Sequence, residues 1–239
     1  IEPCYPGYGT TVGNAIRRVL LSSIPGAAVT SFKVRGVLHE FSSIDNVKED
    51  VVEMILNIKK LRFKVYSDEP VTVTLSAKGD KVVTGADIEK NSNAEVVNPE
   101  QVICTLTNKS AEIHIEFKVK QGFGYITVEE REKEKMDVGE IMVDSLFSPI
   151  VNVGINLENV RVGDMTNYDK LTLSVVTDGS IKGSEAVKVA ADILVKHFSL
   201  FNSNQEIASE EETPAEEVVE DESLEQEESA PKKRGRKTK

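Results

Sequence analysis

The run from Gly7 to Gly26 (GYGTTVGNAIRRVLLSSIPG) constrains this chain more than any other stretch. It reads as a turn, one amphipathic helix and a hard stop. On a wheel at 100° per residue, Val12, Ala15, Ile16, Val19 and Leu20 share one side, an ordinary core-facing stripe. Arg17, Arg18 and Leu21 fall on the opposite side. A leucine between two arginines on a face that should be solvated suits a surface that docks a second protein. The alternative is a solvated face with one exposed leucine, which is common. Thr10 or Thr11 is placed to cap the start, and Pro25-Gly26 ends the helix.

The chain has 239 residues, enough for one large or two small domains with a proper core. The last 38 residues carry 12 acidic and 6 basic side chains. That leaves 28 acidic and 23 basic in residues 1–201, a net charge near −5. Such a body is not built to hold nucleic acid by a global basic field. Cys4 and Cys104 are far apart, and no His or Cys cluster has metal-ligand spacing, which predicts no structural zinc or iron–sulfur site. No apolar run reaches membrane-spanning length.

After the first helix, 28–34 reads as a strand and 36–41 as a second short one. Residues 47–60 carry apolar residues at helical spacing, with Lys48, Glu49, Asp50, Glu53, Lys59 and Lys60 on the polar side. From Arg62 to Val128 the period is two, broken by polar turns, so this stretch is β-rich. Residues 129–135 are a charge run. Residues 160–162 and 171–177 read as strands around a loop, 163–168. Residues 184–201 are a second strong helix whose Val187, Ala191, Leu194, Phe198 and Phe201 form an a/d seam. Its apolar surface is wide enough to bury two sides, either as a central core helix or against a second copy. The segment 202–239 is Glu-rich, then basic at 231–239, a composition that predicts disorder.

No catalytic constellation is found. His39, His114 and His197 sit in unrelated contexts, and no nucleophile elbow, phosphate loop, dinucleotide fingerprint or zinc-protease motif occurs. Aromatics at 5% are too sparse for a single-strand stacking platform.

The Gly7–Val29 segment closely resembles the hallmark helix of the bacterial RNA polymerase alpha subunit family. So do Gly36–Ser42 (GVLHEFS), Val47–Asp50 with Leu56–Lys59, Gly122–Tyr125, Val143-Asp144 through Ser148-Pro149, and Val160–Val162 with Asp169–Leu171. The resemblance implies an α+β fold with two subdomains. A dimerisation subdomain of sheet and two long helices, residues 1–25 and 152–201, would receive an inserted β-rich α+β subdomain, 26–151. A disordered tail, 202–239, would follow.

It also implies a non-catalytic subunit of DNA-dependent RNA polymerase, a nucleotidyltransferase, without cofactor or metal of its own. The homodimer would be the platform for the beta and beta-prime subunits, with sigma and omega in the holoenzyme and DNA contacted through the complex. No membrane partner is implied. The location would be bacterial cytoplasm, associated with the nucleoid, an organellar origin being left open. Carried over by position, Arg17, Arg18, Leu21, Ser22 and Lys59 would bind beta. Val12, Ile16, Val19 and Leu20 would join Val187, Ala191, Leu194, Phe198 and Phe201 at the dimer interface. Pro149, Arg161 and Asp169 would face beta-prime. Three departures stand out. Pro6 replaces the family's usual arginine before the Gly-Tyr-Gly turn, the family's opening strand before Ile1 is missing, as in a truncated chain, and 202–239 does not resemble the family's helical C-terminal domain.

Overall fold

Among the described residues, fifteen helices and strands follow one another as α1 (Tyr8–Ser22), β1 (Pro25–Val34), α2 (Val51–Ile58), β2 (Phe63–Val65), β3 (Val71–Lys78), β4 (Lys81–Thr84), β5 (Ala94–Val96), β6 (Val102–Leu106), β7 (Glu112–Phe123), β8 (Tyr125–Ile126), β9 (Glu140–Met142), β10 (Ser145–Leu146), β11 (Ile150–Val162), β12 (Met165–Thr177) and α3 (Gly183–Ser209). The computed structural model describes residues 1–131 and 136–209. Residues 1–199 form one unit. Residues 200–239 form a second, of which the last turns of α3 are described. The fold is α+β, with two hydrophobic cores inside the first unit.

The larger core lies under a sheet of order β3-β7-β1-β2-β5, with β9 also paired to β1. Strict alternation drives it. Val71, Val73, Leu75 and Ala77 of β3 and Ile113, Ile115, Phe117 and Val119 of β7 point inward, with polar residues between them. α2 closes this core with Val51, Met54 and Ile58. The helix begins at Val51, not Val47, because Asp50 caps it by accepting from the Glu53 amide at 2.7 Å. Glu49 lies outside the helix and accepts from the Thr105 amide and hydroxyl. Residues 36–41 form no strand. Val37 turns back onto Val34, and Leu38 and Phe41 are left exposed.

The smaller core packs α1 and α3 on the β11–β12 hairpin. Ile16, Leu20 and Ile24 meet Ile150, Val153, Ala186 and Ala190. Burying Leu20 and Ile24 completely stabilises by about 1.5–3 kcal/mol each. The hairpin is far longer than the two short strands read at 160–162 and 171–177. Its strands pair from Ile150↔Thr177 to Val162↔Met165. The helix read over 184–201 extends through Ser209. The predicted disorder of 202–239 concerns mainly residues outside the described range.

Candidate functional surface on the first helix

α1 starts at Tyr8, ahead of Thr10 and Thr11, so neither threonine caps it. Its N-cap is Gly7, at φ 82°, with no side-chain cap of its own. The cap comes from far away in sequence. One carboxylate oxygen of Asp169, on β12, accepts from the Gly7 and Gly9 amides at 2.9 and 3.1 Å. The Asp169 backbone also exchanges hydrogen bonds with Cys4 in both directions. A carboxylate at this helix end also complements the helix dipole. Gly9 makes the approach possible, since a Cβ there would lie 2.8 Å from Leu157 Cδ2 and 2.9 Å from Asp169 Cβ. The inner face of α1 is therefore pressed onto the hairpin, which fixes the direction of its outer face.

That outer face carries Arg17, Arg18, Leu21 and Ser22, all exposed. Neither guanidinium has an ion-pair or hydrogen-bond partner among the described residues. The Ser22 hydroxyl donates back to the Arg18 carbonyl at 2.7 Å. Arg18 and Ser22 line a groove with Ala15, Val19, Ile193, Leu194 and His197. Residues assigned to opposite sides of α1 thus meet at one groove between α1 and α3.

The seam residues divide. Ile16 and Leu20 are buried in the chain's own core, at 7% and 0% exposure, which leaves them little surface for a second copy. Val12, Val19, Val187, Ala191 and Leu194 are half-buried. Phe198 and Phe201 are exposed, at 63% and 74%, and Val195, outside the seam, at 66%. Among the α3 side chains described, Ala186 and Ala190 are the fully buried ones. Val187, Val189, Ile193 and Leu194 pack partly buried against the same core, and the larger side chains further along, Val195, Phe198 and Phe201, stay exposed.

Lys59 stands apart from the α1 face, in the larger core's shell. It donates to Asp144 at 2.8 Å, and the pair is about one-third exposed. That Lys59 hydrogen bond, followed by the one from the Val128 amide, holds the Asp144 carboxyl below its usual 3.8. Beside it, α2 exposes Val52 and Leu56 four residues apart, a pair sequence reasoning passed over although it breaks the helix's polar face.

The three residues expected to face beta-prime are not equivalent. Pro149 is buried, with its ring within reach of Gly26, and offers no side-chain surface. Asp169 is half-buried and occupied as the α1 cap. Arg161 is exposed, donates to the Gly163 carbonyl at 2.7 Å and lies 3.9 Å from Asp164. Sequence reasoning also missed Arg131, buried at the end of a 3₁₀ turn, Glu129–Arg131. It donates to the Thr30 and Val143 carbonyls and pairs with Ser145. Only its position in a charge run was visible.

Comparison with known proteins decides the family. Residues 30–148 match the family model described as the RNA polymerase Rpb3/RpoA insert domain. The chain is 51% identical over 216 residues to the DNA-directed RNA polymerase subunit alpha of Moorella thermoacetica, covering 90% of this chain and 69% of that one. The chain belongs to the DNA-directed RNA polymerase alpha subunit family. It is also 45% identical over 215 residues to the subunit alpha of Roseiflexus castenholzii, with 66% of that protein covered. The family member in hand therefore spans about two thirds of the length of these relatives. No helix among its described residues is long and apolar enough to cross a membrane.

Proposed function

We propose that this alpha-family chain works as a homodimeric, non-catalytic scaffold on which the beta and beta-prime subunits of a DNA-dependent RNA polymerase assemble. Sigma and omega join the assembled enzyme, and DNA is reached through the complex. RNA synthesis from nucleoside triphosphates belongs to the large subunits. The observation that carries this reading is the two-sidedness of α1. Its inner face is locked by Asp169 and by Ile16 and Leu20, while Arg17 and Arg18 flank Leu21 with no partner among the described residues.

Arginine offers bidentate bonds to carboxylates, and the leucine adds apolar area, so this face suits an acidic, partly apolar surface on beta. Val187, Ala191, Leu194, Phe198 and Phe201 of α3, with Val12 and Val19 of α1, serve the second copy. The subdomain division, 1–25 with 152–201 and 26–151 inserted, is supported by the two separate cores. Lys59 serves beta once it exchanges its Asp144 partner. Of the beta-prime candidates, Arg161 keeps an available side chain.

Arg18→Ala should leave the dimer intact yet weaken capture of beta about five- to tenfold, the range of an interface residue worth above about 1 kcal/mol. Pull-down of co-expressed beta by tagged mutant and parent chains measures it. Equal recovery contradicts the assignment.

A further inference from the structure

A cavity of about 640 Å³ lies among residues of β1, β7, β8 and β9. Pro70, Phe123, Ile126, Met142 and Phe147 give it apolar walls. Lys118, Lys120 and Arg131 bring positive charge to it. Sites for small molecules commonly enclose about 300–1,000 Å³ and combine apolar walls with a few placed polar groups. Size and lining both fit that description.

Arg131 is the lining residue whose needs the fold leaves unmet. It is only 8% exposed. Nη1 donates to the Thr30 carbonyl at 3.1 Å, and Nη2 donates to the Val143 carbonyl and, at 3.2 Å, to the Ser145 hydroxyl. Nε has no acceptor among the described residues. All these acceptors are neutral. Among the described residues no carboxylate lies within ion-pair distance of this guanidinium. A guanidinium cannot shed its proton in a protein, and a buried charge without a counter-ion is costly. Glu140, the acid that borders the same cavity, is already committed. It accepts from Lys118 at 2.8 Å, from the Asp137 amide at 3.1 Å and from the Ser31 hydroxyl. Lys120 is exposed and also has no carboxylate partner among the described residues.

Water in the cavity would satisfy the Nε–H group yet leave the charge uncompensated. A carboxylate supplies both acceptor and counter-ion, and charge-assisted bonds of this kind are the strong ones. We propose that the cavity binds a small monocarboxylic acid with an aromatic or alicyclic body. Its carboxylate pairs with the Arg131 guanidinium, Lys120 is a second, exposed cation, and its body lies among Phe123, Ile126, Met142 and Phe147.

The test titrates naphthylacetate, and its uncharged counterpart naphthylacetamide, into the full chain carrying isotope-labelled methionine methyl groups, read by NMR. Met136 and Met142 border the cavity, whereas Met54 is buried under α2 and Met165 lies in the β11–β12 hairpin. The acid should shift Met136 and Met142 saturably and leave Met54 and Met165 in place. The amide should bind at least about tenfold more weakly. Ile126→Trp fills the cavity and should weaken the acid at least about tenfold, with an unmoved Met54 signal showing the core intact. Lys120→Gln should cost no more than about fivefold and keep the preference for acid over amide, because the buried Arg131 carries it.

Equal affinity for acid and amide means that no buried charge is read, and overturns the proposal. So do shifts at Met54 or Met165 in place of Met142, undiminished affinity in Ile126→Trp, or loss of the acid preference in Lys120→Gln. The absence of any saturable shift with the acid overturns it as well.

Discussion

Asp169 ties the first turn of α1 to a strand 160 residues away in sequence. Removing it leaves the Gly7 and Gly9 amides without their acceptor and the helix dipole without its anion. Asp169→Ala should therefore destabilise the chain by about 1–2 kcal/mol, the upper range for loss of a cap. Thermal unfolding, with a midpoint lower by several degrees, checks this. An unchanged midpoint would show that water satisfies these amides equally well. The residue also marks where sequence reasoning stopped. The Ile16 and Leu20 stripe was legible because it follows helical period. The cap was not, because local rules search within four residues and offered Thr10 and Thr11. The same limit hid Gly9. A glycine in a helix reads as a weakness of about 1 kcal/mol, whereas here it makes room for Leu157 and Asp169.

α3 shows at the scale of an element how an open face arises. Ala186 and Ala190 seat it on the smaller core, while Phe198, further along the helix, stays 63% exposed among the described residues. Phe198→Glu tests the seam better than a change at Leu194, which packs on the core and could unfold the chain itself. The variant should keep its helical circular dichroism yet run as a monomer in light scattering, because a dimer would bury an unpaired charge. A persistent dimer would move the interface elsewhere. The seam was legible in sequence as apolar residues 4, 3, 4 and 3 apart. The hairpin β11–β12 was not. Asn152, Gly154 and Asn156 on one strand, and Asn167 and Asp169 on the other, are poor strand formers. Their pairing depends on each other and on α1 lying across them, which is tertiary context that no single-segment pattern contains.

At the scale of the whole molecule, the chain leaves the smaller core at α1, builds the larger one, and returns. The two meet closely where Gly26 passes Phe147, since a Cβ on Gly26 would lie 1.9 Å from the Phe147 carbonyl oxygen. Arg62 and Asp178 add an ion pair at 3.5 Å across the same junction. This return was readable only through resemblance, because period and composition do not say that both chain ends share a core.

The charge pattern makes the larger core sensitive to acid. Burial pushes the Glu140 carboxyl up, but hydrogen bonds from Lys118, Ser31 and the Asp137 amide outweigh it, and the group ends below its usual 4.5. Asp87 behaves alike, burial opposing Lys81 and the Thr84 amide, with a net shift downward. Asp144 is also lowered, chiefly by Lys59. A carboxyl lowered by folding contributes fully above its unfolded pKa and loses that contribution as pH falls through the folded value. Lys118 is raised, chiefly by Glu140, so its share is full below its usual 10.5 and fades as pH rises through the higher folded value. The larger core should therefore be firmest between about pH 5 and 10 and weaken below about pH 4. Glu140→Gln removes one such contribution in advance. Its denaturation midpoint should start lower at pH 7 and fall less than the parent's between pH 7 and pH 3. Parallel decline of parent and variant would mean that the Lys118–Glu140 pair adds nothing to the fold.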